Sequence, residues 1–385
     1  MERAMAWGWN RFQSILLALA LISLQACSTL PDPVFAEGTS PRDVLEGAFF
    51  DVAPHERPPE LDLLAVDDNM LDFLAARVPS DATSQEKIRF ILRGMLDDGL
   101  RMEYDNLRTL SAPDAFVARA GNCMSFTNLF IALARESGLR VHYQEVMLPP
   151  NWSDGDSAWL YNLHVNALVY LPGTGSQVVD FNLEDYDSNY PRRVLSDAAG
   201  EARHHNNMGV HWMTQGDPRL SFLHFRRAIE LAPRTGHFWT NLGTLLRREG
   251  HIAHAEVAMR EAIIRDNESV AMSNLAKLYT RYDQPEVAAW YDDQVRAFRR
   301  QNPYYLYHLA QEELAGGKVK TARQHVKDAI GKHEHDRRFH DLLAMLELEL
   351  GNTAAARLSL QRALALSGTS RREAYQTKLE LLADR

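Results

Sequence analysis

The sequence predicts two folded parts, an α+β domain followed by an all-α solenoid of helix pairs. Small residues recur about every 34 residues over 202–370, and a cysteine-led helical pattern precedes strand-like segments over 84–195. Charge changes near the same point: residues 1–200 hold 15 basic and 28 acidic side chains, whereas residues 201–385 hold 27 and 23. We therefore predict domains over 61–200 and 202–370.

Composition excludes several classes of protein. The chain has 385 residues, of which 45% are apolar and 24% charged, so it is globular rather than disordered. Mean hydropathy is −0.33, which excludes a polytopic membrane protein. Two cysteines are too few for a disulfide-rich scaffold or a Cys-based zinc finger. A net charge of −9 argues against a nucleic-acid partner.

Residues 1–26 are typical of a secretory signal peptide. Arg3 and Arg11 precede an apolar run over 15–24, which is short for a bilayer span. The run ends in Leu-Gln-Ala-Cys27, which resembles the bacterial lipobox, so the resemblance implies a lipid on Cys27. Ser28 at the next position implies an outer-membrane location in the cell envelope, facing the periplasm. The alternative is an ordinary cleaved signal with an incidental cysteine.

Residues 27–60 are predicted to form a lipidated tether. The stretch contains prolines at positions 31, 33, 41, 54, 58 and 59, and Pro-rich segments act as semi-rigid spacers. We therefore expect it to lead from the membrane-anchoring lipid on Cys27 into the first domain.

Cys123 is the one cysteine that remains if Cys27 is lipidated, so it is not expected to form an internal disulfide. The apolar residues that follow it recur at i, i+3, i+4, i+7 and i+8, which predicts a core helix that Gly138 ends. In the first turn of a helix, the macrodipole and free N–H groups lower a thiol pKa and can hold an oxyanion. Cys123 is therefore a candidate nucleophile, with Gly121 expected to leave space in front of its sulfur.

Two strand-like segments follow, over 163–170 and 177–181. His164 and Asn166 share one face of the first segment, opposite its apolar residues. A hairpin across the short loop between the segments would bring Asp180 beside His164. Each of these residues also has an ordinary structural explanation, as a buried cysteine, a structural histidine or a strand-ending aspartate.

The motifs G-N-C-x-S, L-A-R-x-x-G-L, H-x-N and V-V-D-F, in this order over about 84–195, resemble the transglutaminase-like branch of the papain-type thiol enzymes. The resemblance implies an α+β transglutaminase-like domain, with the Cys on a helix and the His and Asp on antiparallel strands. It assigns Cys123 as nucleophile, His164 as general base and then acid, and Asp180 as the residue that orients the imidazole.

Four further residues are candidates for the cleft of this site: Asn122, Asn166, Tyr104 and Trp152. Tyr104 has the alternative of a core tyrosine. Trp152, in the loop that also holds Trp159, could instead cover the core.

The periodic half resembles the tetratricopeptide repeat (TPR), with five copies over 202–370. Its small residues are spaced 34, 33, 34 and 34 apart, at Gly209, Gly243, Ala276, Ala310 and Ala344, and W-x-x-L-G occurs in full at Trp239–Gly243. Such a TPR solenoid buries its apolar faces by stacking helix pairs. Residues 371–385 are amphipathic and are expected to form a capping helix. The resemblance also implies a groove that holds a protein or peptide.

These features predict a membrane-anchored cell-envelope protein with a thiol-dependent site that hydrolyses amide or peptide bonds or transfers acyl groups. Whether water or an amine resolves the thioester is left open by the sequence. The acidic segments D-G-D and E-D-Y-D fit no EF-hand pattern, so neither a metal nor a cofactor is expected. The alternative is a non-catalytic TPR scaffold or adaptor lipoprotein.

Overall fold

The computed structural model of the chain describes residues 30–147, 163–173, 175–181, 190–367 and 369–383. The part before residue 197 combines helices with a small sheet, which agrees with the predicted α+β class. Its elements are α1 (Pro41–Glu46), α2 (Asp68–Arg77), α3 (Ser84–Leu96), β1 (Glu103–Tyr104), α4 (Ala112–Ala118), β2 (Ala120–Gly121), α5 (Cys123–Glu136), β3 (Arg140–Met147), β4 (Leu163–Leu171), β5 (Gly175–Val179) and β6 (Arg192–Leu195).

Helix α5 is the central helix of this part. Every residue from Met124 to Ala134 is buried, because apolar side chains occupy nearly the whole circumference. Asn122 is its N-cap, and Gly138 adopts a left-handed conformation (φ 80°) two residues after the helix ends. The predicted core helix starting at Cys123 is therefore confirmed.

The main sheet has the strand order β5-β4-β3-β6, and every neighbouring pair is antiparallel. β4 and β5 form a hairpin in which Ala167 lies opposite Val179 and Leu171 opposite Gly175. The predicted hairpin is present in this register. It places the end of β5 alongside the start of β4.

Residues 197–365 form five helix pairs, followed by one more helix. The helices are α6 (Asp197–Gln215), α7 (Pro218–Leu231), α8 (Gly236–Arg248), α9 (Ile252–Asp266), α10 (Ser269–Arg281), α11 (Pro285–Gln301), α12 (Pro303–Ala315), α13 (Val319–Lys332), α14 (Arg337–Glu349), α15 (Thr353–Ala365) and α16 (Thr369–Ala383). The architecture is an all-helical, TPR-like solenoid.

Small residues allow the two helices of a pair to approach closely. A Cβ added to Gly209 would lie 2.5 Å from the ring of Phe225, and one added to Gly243 would lie 2.8 Å from Met259. Those distances are too short for real carbon atoms. The 34-residue spacing therefore reflects a recurring helix–helix contact.

The domain boundary predicted near residue 200 lies inside α6, which begins at Asp197 with Ser196 as its N-cap. The helix also packs on the α+β part: Asp197 forms two 2.8 Å contacts with Arg135 of α5. A Cβ on Gly200 would lie 2.6 Å from the ring of Tyr143 on β3. The first repeat helix is thus shared between the two parts, which a change in charge composition cannot reveal.

Residues 30–57, called the strap below, do not form the predicted tether. The Glu256 carboxylate on α9 accepts hydrogen bonds of 2.7 Å from the backbone N–H groups of Val34 and Phe35. The Arg226 guanidinium on α7 donates to the backbone carbonyls of Leu45, Ala53 and Glu56. The strap therefore lies on the second helices of repeats 1 and 2.

Aromatic side chains explain why the tether prediction was wrong. Phe49 makes ring contacts with Phe222 at 5.6 Å and with His254 at 4.5 Å, and Phe35 stacks on Tyr279 at 5.9 Å. Val44 is fully buried in the same core. The strap includes the short helix α1 and is held on the solenoid by these ring contacts and by the backbone carbonyls that Arg226 binds.

The solenoid core is divided between repeats 3 and 4. One apolar cluster runs from the strap to Val295 on α11, and a separate cluster begins at Leu306 on α12.

Among the described residues, no helix has both the length and the apolar character needed to cross a membrane.

Candidate active site

Cys123 occupies the first position of α5, with its side chain partly exposed as a free thiol. The buried Asn122 fixes this helix start: its Oδ1 accepts from the Ser125 N–H (3.1 Å), and its Nδ2 donates to Thr109 Oγ1 (2.7 Å). The candidate cleft residue Asn122 therefore acts as a cap beside the thiol. By helix geometry, the Cys123 N–H has no acceptor within its own helix.

Ser125, in the first turn of α5, bonds to the backbone of the segment at residues 108–110. Its hydroxyl donates to the Arg108 carbonyl (2.9 Å) and accepts from the Leu110 N–H (2.8 Å). A Cβ on Gly121 would lie 2.4 Å from Ser125 Cβ. The glycine therefore makes room for Ser125, and the expectation that it leaves space in front of the sulfur stays a prediction.

His164 and Asp180 are joined across the β4–β5 hairpin. His164 Nε2 lies 2.6 Å from Asp180 Oδ1, and the side chains are 5% and 3% exposed. The register explains the pairing: Ala167 lies opposite Val179, so Asp180 is aligned with Asn166, two residues from His164.

Asn166 does not line the cleft. Its side chain is fully buried, and Nδ2 donates to Asp180 Oδ2 at 2.7 Å. Both carboxylate oxygens of Asp180 are therefore engaged, one by His164 and one by Asn166. Asn166 Oδ1 has no hydrogen-bond partner in the described part of the chain.

The electrostatics favour a charged imidazole. Burial lowers the pKa of His164, but hydrogen bonds with Asp180 and Cys123, together with their charges, outweigh burial and raise the pKa to about 9. His164 is then an imidazolium at neutral pH. Because its Nε2 faces Asp180, Nδ1 is the ring nitrogen left to exchange a proton with the thiol.

The helix and the strand that carry these residues are also joined directly. Thr127 Oγ1 on α5 donates to the Val165 carbonyl on β4 at 3.3 Å. Phe181, directly after Asp180, makes a ring contact with Phe126 at 5.0 Å. These contacts fix the Cys123 helix against the hairpin that holds His164 and Asp180.

Tyr104 is not a core residue, because 57% of it is exposed. It lies opposite Gly121 in the two-residue parallel pair of β1 and β2, two positions before the thiol. Its ring lies 6.4 Å from that of Phe126. Trp152, Trp159 and Cys27 fall outside the described residues.

Sequence reasoning missed two polar contacts near this site. Asn166 was assigned to the cleft, although its even spacing from His164 and the hairpin register together point to Asp180. Glu145 on β3 was not singled out, yet it is 1% exposed and lies 2.6 Å from both Arg193 and Arg203. No local sequence pattern marks that pair. Within the described part of the chain, no cluster of three His, Cys, Asp or Glu side chains could hold a metal ion.

Comparisons with known proteins give fold likeness alone. No family model and no curated protein matches the sequence. Solved structures that match include Pseudomonas aeruginosa PilF, at 13% identity and a TM-score of 0.27, covering 49% of this chain and 87% of that one.

YrrB, a TPR protein with an unusual peptide-binding site, matches at 12% identity and a TM-score of 0.24, covering 46% of this chain and 92% of its own. Yeast Tom70 matches at 15% identity and a TM-score of 0.29, covering 48% of this chain and 40% of its own. Similarities at these TM-scores carry no argument about activity or partner.

Proposed function

We propose that this protein is a repeat scaffold of the bacterial cell envelope whose transglutaminase-like domain carries a thiol-dependent amide hydrolase or acyltransferase site. One observation carries the enzymatic part. The buried His164–Asp180 pair, closed by Asn166, adjoins the partly exposed Cys123 at the start of a helix, and the thiol contributes to the raised pKa of His164.

The chemistry follows from those positions. The Cys123 thiolate attacks an amide carbonyl, and the oxyanion that forms is stabilised by N–H groups at the start of α5. The imidazolium of His164 gives its proton to the departing amine as the C–N bond breaks, leaving a thioester. Asp180 keeps the ring in place and stabilises its positive charge.

Resolution of the thioester regenerates the thiol. His164, now neutral, removes a proton from water, whose oxygen forms the new bond to carbon while the C–S bond breaks. An amine that replaces water would give acyl transfer instead. In an aqueous envelope compartment we favour water, and neither route as written needs a metal or cofactor.

The second candidate function is a non-catalytic adaptor. The specific observation in its favour is the set of five helix pairs, since stacked pairs create extended surfaces for protein partners. In this function the cysteine domain is a platform, and the repeats hold a protein or peptide. The lipobox-like segment supports a lipid anchor on Cys27, facing the periplasm from the outer membrane, in both cases.

A thiol-reactive acyl-amide probe separates the two functions. We expect the wild type to form a covalent adduct and Cys123→Ala to form none. His142→Ala, on the adjacent strand β3, is the matched histidine control and should label like the wild type. Equal labelling of wild type and His164→Ala would remove the enzymatic function and leave the adaptor.

A further inference from the structure

A cleft of about 790 Å³ lies at the break between the apolar cluster that ends at Val295 and the cluster that begins at Leu306. It lies between repeats 3 and 4, and helices α11, α12 and α13 line it. The side chains that line it include four cations, Arg296, Arg300, Lys327 and Lys332, and two carboxylates, Glu313 and Asp328.

Positive charge is concentrated around this cleft. Residues 294–332 hold eight basic and three acidic side chains, although the whole chain has a net charge of −9. The four cations that line the cleft are exposed, although Arg296 pairs with Asp293 and Lys327 Nζ lies 3.9 Å from the Glu347 carboxylate. A local excess of exposed cations in an acidic protein attracts an anionic partner.

The first residues of the strap lie close to α11, one of the three helices that line the cleft. Arg260 Nη1 on α9 donates to the Pro31 carbonyl (2.6 Å) and to the hydroxyl of Tyr291 on α11 (3.3 Å). Tyr291 precedes Arg296 by five residues, or about 8 Å of helix. Leu30, the first described residue of the strap, follows Cys27 by three positions in the sequence.

We propose that the second-helix side of repeats 2–4 faces the membrane and that the basic cleft takes the headgroups of anionic phospholipids. The approach to the bilayer rests on the proposed lipid anchor at Cys27, whereas the headgroup site rests on the cleft. A lipid chain combined with a basic patch is a two-signal membrane attachment. Because the strap is bound along its length, the anchor would hold the cleft close to the bilayer surface.

Position-specific quenching tests the orientation. In the full chain carrying Cys123→Ala, a fluorophore is attached at Asp328→Cys in the cleft or at Asp81→Cys, an exposed aspartate before α3. Each protein is mixed with vesicles of phosphatidylcholine, with or without phosphatidylglycerol, that contain a nitroxide-labelled lipid. We expect quenching at position 328, dependent on phosphatidylglycerol and weakened by salt, and none at position 81.

Charge reversal tests the site itself. Arg300→Glu with Lys332→Glu should weaken the phosphatidylglycerol-dependent quenching by about tenfold or more. Arg89→Glu with Arg93→Glu, two exposed arginines of α3, is the matched control and should leave it unchanged. Inorganic phosphate at constant ionic strength should not reverse the quenching, and full reversal would indicate a small-anion site and overturn the lipid assignment.

Flotation with the vesicles separates the two hypotheses. Flotation with vesicles of phosphatidylcholine alone would support the lipid anchor on Cys27. Flotation only when phosphatidylglycerol is present would contradict the anchor hypothesis and support the headgroup site in the cleft. Equal quenching at positions 81 and 328, or no effect of phosphatidylglycerol at position 328, would overturn the proposal and leave the cleft to an acidic protein segment.

Discussion

Two buried charged pairs, one with its histidine on β4 and one with its glutamate on β3, have the same distance between their charged groups but different surroundings. His164 Nε2 lies 2.6 Å from Asp180, and Arg203 Nε lies 2.6 Å from Glu145. The first pair adjoins a partly exposed thiol. The second is closed by Arg193 and connects β3 to the first repeat helix.

The difference shows that distance and burial alone do not mark a catalytic pair. Both pairs satisfy their charges, as buried ions must. The first has, in addition, a reactive third group and a ring nitrogen that can exchange a proton. We therefore infer a chemical role for His164–Asp180 and an architectural role for Glu145–Arg203, and mutations should separate these roles.

The largest expected effect is on turnover. Cys123→Ala should abolish amide cleavage, and His164→Ala should lower kcat/KM by about a thousandfold, since general acid–base groups contribute about 10²–10⁴. The check is turnover of an amide substrate found with the acyl-amide probe, together with thermal unfolding to confirm the fold. Turnover in His164→Ala within tenfold of the wild type would contradict the assignment.

The structural pair should show the opposite pattern. Glu145→Ala would leave Arg203 buried without its carboxylate and should lower the free energy of unfolding by about 3–5 kcal/mol. Arg193→Ala is the control, because its half-exposed side chain should cost about 1 kcal/mol or less. Urea unfolding measures both. A Glu145→Ala protein as stable as the wild type would contradict the architectural role.

Asn166 should affect both quantities moderately. Asn166→Ala removes one hydrogen-bond donor from a buried carboxylate. A hydrogen bond to a charged group contributes about 1.5–3 kcal/mol, and if that energy holds Asp180 and His164 in place, its loss should lower turnover by roughly 10–100-fold. Asn128→Ala, which removes a buried amide from the middle of α5, should lower stability without a specific loss of kcat. If the two variants behave alike after correction for stability, Asn166 is not a positioning residue.

The smallest expected effect concerns the repeats. Ala255→Trp on α9 and Ala322→Trp on α13 should each cost about 1–3 kcal/mol, because both alanines are fully buried between helices. Ala297→Trp, at an exposed position of α11, is the control. Thermal unfolding provides the comparison, and unchanged melting of both buried-site variants would argue against the helix-pair alignment.

Local patterns explain which parts of this structure could be predicted. The helical period after Cys123 and the short loop between two strand-like segments predicted α5 and the β4–β5 hairpin, and the hairpin sets His164 next to Asp180. The small-residue spacing predicted the helix pairs. Each of these features depends on residues close together in the chain.

Distant contacts explain what could not be predicted. Val34 bonds to Glu256 across 222 residues, and Glu145 pairs with Arg203 across 58. Only the packed fold reveals such partners, so the strap was mistaken for a tether and Glu145 went unnoticed. The catalytic roles of Cys123, His164 and Asp180 stay predictions.

The most direct test of the central claim is the rate of Cys123 alkylation by iodoacetamide as a function of pH, in the wild type and in His164→Ala. Because the hydrogen bonds and charges of Asp180 and Cys123 outweigh burial and raise the pKa of His164 to about 9, its ring should stay charged beside the thiol up to about pH 9. The wild type should therefore react faster near pH 7 than a free thiol, and His164→Ala should lose that advantage. A wild-type rate equal to that of a free thiol, unchanged in His164→Ala, would contradict the account.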